Sequence, residues 1–325
     1  MDVRLALYEL VQRHALDRRA TGELLRLAGL AGEPSALALR LRRGTAGLAA
    51  ALVGLGTIFW IAANWDVLSR FGHFALLQGL VALTCAAALW RPAARAPLAL
   101  LALLATGGLF AYFGQTYQTG ADPWQLFALW AVLALPLAVA VRSDLLWTPW
   151  AAVAMAAVSL WVHAHTGHQW RVAPHDLPVH FFGWAAALAV VAALSPAASR
   201  LTGAGPWAWR TALTLSAVMI TATALGGLFH REVAPHYGLA LLLLASAAAA
   251  LSLARFFDAY GLSAVALALN TLLVAGLARV LFDGGGDPVG RLLILGLAAA
   301  ALLAATVSAV LRLSRRMPPP RGAAV

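Results

Sequence analysis

Two stretches of this chain concentrate side chains that could do chemistry. The first is YFGQTYQTGADPWQLFALW, residues 112–130, where Gln115, Tyr117, Gln118, Asp122, Trp124 and Gln125 interrupt long runs of Ala and Leu. Amides hydrogen-bond in both directions and aromatic rings stack. Gln115, Tyr117, Gln118 and Trp124 therefore make a candidate grip for a sugar, a lipid headgroup or a peptide. Interfacial-belt residues are the plainer reading of the same four. Asp122-Pro123-Trp124-Gln125 has the pattern of a helix start: Asp at the N-cap, Pro at the first helical position, and Gln three residues after the cap reaching back to its amide. Gly114 and Gly120 fit a helix end and a turn.

The second stretch is HAHTGHQWRVAPHDLPVH, residues 163–180, with five histidines and an aspartate. Neutral imidazoles and a carboxylate are ligands for zinc or copper, so His163, His165, His168, His175 and Asp176 are candidate metal ligands. A metal held there with an open position would activate water for hydrolysis. The spacing matches no defined metal motif, and solvated loop histidines account for it equally. The expectation is accordingly no cofactor, with zinc or copper as the alternative. No Ser-His-Asp arrangement is present. Gly284-Gly285-Gly286 has no following Lys and reads as a turn rather than a phosphate loop.

The elements that must position these groups are membrane helices. The chain of 325 residues is 62% hydrophobic and 11% charged, well below the quarter expected of a soluble domain. Ten apolar segments of near-spanning length follow residue 46: 46–64, 73–90, 97–114, 123–141, 145–162, 179–195, 210–229, 236–254, 261–279 and 290–311. The predicted fold is all-α, a polytopic bundle of about ten transmembrane helices. Residues 1–43 form a short amphipathic helical region, 44–312 the bundle, and 313–325 a disordered Arg/Pro-rich tail. Asp17 is placed to cap the second helix of the N-terminal region. That region lies on the membrane, or it docks a membrane-protein partner.

All basic residues are Arg. With the N-terminus cytoplasmic, eighteen fall on that side and five on the other, which favours cytoplasmic termini and ten spans. The arginines are scattered over loops with no basic, aromatic-laced face, so nucleic acid is not an expected partner; the lipid bilayer is. On this topology every histidine but His14 falls at the outer face, with residues 112–124 and with Asn64-Trp65-Asp66 at the end of the first span. Trp60, Trp65, Trp124 and Trp161 at one level, and Trp90, Trp147, Trp207 and Trp209 at the other, fit interfacial belts. Every acidic residue lies in a loop or at a span end, which argues against ion pumps and proton-coupled carriers. Asn270 and Gln78 are the clearest mid-span polar groups and read as helix–helix hydrogen bonds.

Two motifs carry a resemblance. Phe59-Trp60-Ile61-Ala62-Ala63-Asn64-Trp65-Asp66 closes the first span after a short helical N-terminal region. GQTYQTGADPWQLFALWAVLALP runs from Gly114 to Pro136. Together they resemble the bacterial membrane-protein family catalogued as domain of unknown function 2157, over roughly residues 1–140. The resemblance implies a multi-spanning bacterial membrane protein and supplies no catalytic residue or substrate. It sets Asn64, Trp65, Gln115, Tyr117, Gln118, Thr119, Asp122, Pro123, Trp124, Gln125 and Trp130 at motif positions.

The sequence thus leads to a multi-pass protein of a bacterial inner membrane, more plausibly a binder than an enzyme. Its expected ligand site comprises Asn64, Trp65, Gln115, Tyr117, Gln118 and Trp124 at the periplasmic face, for binding or moving an amphipathic molecule such as a lipid or glycan precursor. Two alternatives stand beside it: a membrane-embedded metal enzyme using the histidine cluster, and a scaffold or sensor acting through residues 1–43.

Overall fold

The computed structural model describes residues 3–28, 35–64, 69–117, 120, 122–167, 172–283 and 288–316. All regular structure among them is helical: α1 (Val3–Arg13), α2 (Arg18–Leu27), α3 (Ser35–Ala63), α4 (Arg70–Trp90), α5 (Arg95–Tyr117), α6 (Pro123–Val141), α7 (Asp144–His165), α8 (Leu177–Ala193), α9 (Ser199–Thr202), α10 (Pro206–Leu228), α11 (Pro235–Ser252), α12 (Ala259–Phe282) and α13 (Pro288–Arg316). Among the described residues, nine helices are long and apolar enough to cross a membrane: α4 to α8 and α10 to α13. The expected first span, 46–64, lies in α3, within which Gly44–Thr57 is a continuous apolar stretch of helix. The chain is a polytopic helical membrane protein.

Two expected boundaries fall inside helices. α3 runs unbroken through residues 43 and 44, and α13 continues four residues past 312. Gly114 does not end a helix either, because α5 continues to Tyr117. The turn glycine is Gly120, with φ +69°. Proline at the first helical position opens α6, α10 and α11, where its missing N–H leaves no helical bond unmade.

The bundle is two rows. α3, α5, α7, α10 and α12 pack in that order, each on the next. α7 and α10 run parallel: the Ser159 hydroxyl donates to Met219 Sδ at 3.5 Å, while Asp144 at the start of α7 meets the start of α10. The returning helices fill a second row. α6 packs on α5 and α7, α8 on α7 and α10, and α11 on α10 and α12, while α4 covers α5 and α13 covers α12. α1 and α2 pack on each other, and α2 buries no residue.

Alternation of helix direction sorts the polar residues. One end of the bundle holds Arg91, Arg95, Arg142, Arg200, Arg210 and Arg255; the other holds His73, His163, His165, His175, His180, His230 and His236. The arginine-rich end is locked by long-range bonds. Asp144 accepts from the amides of Gly205 (3.2 Å), Trp207 (2.9 Å) and Ala208 (2.8 Å), so a carboxylate on α7 caps the N-terminus of α10. Arg142, at φ +53°, donates to the carbonyls of Arg200 and Leu201 at the end of α9. Arg210 pairs with Asp258 at 2.7 Å, and Asp258 caps α12 through the Gly261 amide.

Tryptophans knit neighbouring helices by donating to main-chain carbonyls: Trp130 to Leu103, Trp150 to Ala131 and Trp147 to Thr202. Trp147 and Trp209 are buried rather than belt residues. Trp90 and Trp207 at the same end are exposed, as a belt requires. Asn270 forms the expected interhelical bond, donating to Thr306 Oγ1 on α13 at 3.0 Å.

Asp17 caps α2 as its sequence position predicts, accepting from the Ala20 amide at 2.7 Å. Asp17→Ala is expected to cost about 1 kcal/mol of local helix stability. Amide hydrogen exchange should quicken over residues 18–27 and stay unchanged over α4 to α13; equal exchange in α2 would show that the cap contributes nothing.

Candidate functional site

The histidine-rich end begins with the α4–α5 pair. The Tyr112 ring stacks on His73 at 4.9 Å and meets Phe74 edge-on at 4.7 Å, and its hydroxyl donates to the Arg70 carbonyl at 3.4 Å. Tyr117, half exposed, lies near Phe74 (5.9 Å) and Phe113 (4.9 Å). Gln115 is exposed on the same turn. On α3, Gly54 faces Leu101 and Leu104 of the parallel α5. Asn64 lies ten residues further, about 15 Å along the axis, level with the Tyr112 turn. Its Nδ2 donates to the Trp60 carbonyl at 2.8 Å.

Trp124 turns the other way. Its ring lies 6.1 Å from His165 of α7, which itself sits 4.4 Å from Trp161. Its indole N–H is buried and has no hydrogen-bond partner. Asp122 holds the N-cap position and Pro123 the first helical position, but the carboxylate makes no bond to the first-turn amides. The turn closes instead through the Gln125 amide donating to the Asp122 carbonyl at 3.0 Å.

The described members of the expected ligand set share one end of the bundle. Tyr117 belongs to an α4–α5 cluster and Trp124 to an α6–α7 cluster. Trp65 and Gln118 lie outside the described residues, as does His168 of the candidate metal set. Of that set, His165 engages the Trp161 carbonyl through Nδ1 at 2.8 Å. His175 is exposed, its Nε2 at 3.5 Å from Asp176. His163 lines a cavity to which His165, His175 and Asp176 do not contribute. Among the described residues no three His, Cys, Asp or Glu side chains are grouped to hold a metal ion.

That cavity is the best-formed feature of this end. It lies between α7, α8 and α10 and has a volume of about 410 Å³. Its walls are Ala152, Met155, Ala156, Val162, Val172, Leu215, Val218, Met219 and Ala222, with Ser159, His163, Thr166, His180 and Thr223 as polar members. From Ala152 to His163 the α7 wall rises about 16 Å, roughly half of a ~30 Å hydrocarbon core. The apolar part lies towards mid-bundle; the histidines and Thr166 lie at the histidine-rich mouth.

Behind His180 lies a second histidine. His180 Nδ1 is 3.0 Å from the Asp176 carbonyl and 3.2 Å from Nε2 of His236 on α11, and both rings are buried. Gly227 makes room for His236: a Cβ there would stand 3.0 Å from the histidine's own Cβ. Composition alone does not find this pair. The available signal was that each histidine occupies the first turn of a span, just after Pro178 and Pro235.

Residues 8–147 match the family described as predicted membrane protein, domain of unknown function 2157. The match takes in α3 to α6, the Trp130 lock and the start of α7, and stops short of the cavity. No curated protein and no solved structure matches the chain.

Proposed function

We propose that this chain is a non-enzymatic binder of an amphipathic molecule, a lipid or a lipid-linked glycan precursor, which it takes up at its histidine-rich end. On the positive-inside reading of its arginines, that end is the periplasmic face of a bacterial inner membrane. One observation carries the proposal: the cavity between α7, α8 and α10 has a wall about as deep as one leaflet, lined mainly by apolar side chains, with histidines and Thr166 gathered at its mouth. A molecule with an apolar tail and a polar head fits that gradient in one orientation.

Filling the cavity tests the proposal. Ala222 lines it and is exposed there, so Ala222→Phe occupies the space while disturbing the packed core little. Protein purified in mild detergent should carry a defined amphipathic species in its extract, and the variant about ten-fold less of it by mass spectrometry. Equal retention in the two proteins would sink the proposal.

A further inference from the structure

The polar atoms of the cavity wall discriminate between headgroups. Thr223 Oγ1 donates to the Met219 carbonyl at 2.8 Å and Ser159 Oγ donates to Met219 Sδ. Each hydroxyl has one hydrogen, already engaged, and is left with acceptor capacity. His180 follows the same logic. A carbonyl oxygen only accepts, so the 3.0 Å approach of Nδ1 to Asp176 O places the imidazole proton on Nδ1. His236 Nε2, at 3.2 Å from that nitrogen, shares the same proton as an acceptor. The opposite nitrogen of His180, Nε2, then carries a lone pair, and it is the one left for the cavity that His180 lines. Among the described residues no Arg, Asp or Glu lines the cavity.

Resting on the proposed function, we infer that the cavity selects an uncharged amphipath whose headgroup donates hydrogen bonds: an alcohol or polyol head on an apolar tail. Ser159, Thr223 and His180 present acceptors and His163 adds an imidazole that can donate or accept, so a hydroxyl-bearing head, which does both, satisfies them. A carboxylate or phosphate only accepts, and Ser159, Thr223 and His180 have only acceptor capacity left to offer it. An ammonium head would donate, but no carboxylate among the described wall residues compensates its desolvation.

The test uses the full chain in detergent, titrated with a monoacylglycerol and with a fatty acid of the same chain length at a pH where the acid is ionised. Binding is followed by native mass spectrometry. The monoacylglycerol should bind about ten-fold more tightly or better, the gain expected of one or two well-made hydrogen bonds. Thr223→Val keeps the side-chain volume and removes an acceptor; His180→Phe removes another. Each should weaken the monoacylglycerol several-fold and leave the fatty acid within two-fold, with the thermal transition retained for Thr223→Val. Fatty-acid binding as tight as the monoacylglycerol's, or equal losses for both probes in Thr223→Val, overturns the inference and leaves the cavity proposal standing. If neither probe binds while Ala222→Phe still strips a co-purifying species, the inference fails alone. If Ala222→Phe also changes nothing, both fail.

Discussion

Asp144→Ala is expected to destabilise the bundle by about 3 kcal/mol, since it removes a charged acceptor from three amides at once. The carboxylate stands at the first residue of α7 and serves the first turn of α10, sixty residues away, at 2.8 to 3.2 Å. Few side-chain groups near the start of α10 could replace it. The neighbouring Arg142 has no acceptor to offer those amides, and a Cβ at Gly205 would press on the Asp144 carboxylate itself. Asp144→Asn keeps one oxygen and should lose about half as much. Unfolding in detergent, followed by heat or by a denaturing detergent, measures both. A loss below about 0.5 kcal/mol in the Ala variant would mean that water serves those amides equally well.

The second large effect is at Gly107. A Cβ there would overlap the indole of Trp130, whose N–H donates to the Leu103 carbonyl at 3.0 Å. The ring is thus held on one side by a hydrogen bond and on the other by the bare backbone of α5. Gly107→Ala should cost about 2 to 3 kcal/mol, the upper range for overpacking, because a bonded indole has nowhere to move. Trp130→Phe alone should cost about 1 kcal/mol through the lost bond. Combined, the two should cost less than their sum by at least about 1 kcal/mol, because the smaller ring vacates the space the methyl needs. Additive losses would show that the two side chains do not press on each other.

Trp130 and Gly107 also show where reading a sequence succeeds and where it stops. The motif around Trp130 was visible in the chain, and so were the spans, the Asp17 cap and the helix start at Pro123. All depend on groups a few residues apart, whose spacing the helix itself dictates. The gathering of histidines at one end followed from alternating helix direction. The Asp144 cap, the Arg142 bonds and the His180–His236 contact join residues roughly sixty apart, and no periodicity encodes them. Which helix neighbours which is settled by small-residue fit, such as Gly54 against Leu104 and Gly261 against Trp209. Tyr117 and Trp124 are seven residues apart, yet their rings meet different neighbours, Phe74 and His165.

The two-row arrangement bears on how the chain is made. Each outgoing helix packs on the outgoing helix before it and on the returning helices that flank it in sequence. Nearly every helix–helix surface is therefore complete once the next hairpin has entered the bilayer, and no late segment must thread between early ones. Such locality favours rapid, stepwise assembly during synthesis. A ribosome halted after α11 would leave α3 to α10 with their mutual contacts already formed, and α10 still awaiting the packing of α12 and the Arg210–Asp258 clasp that comes with it.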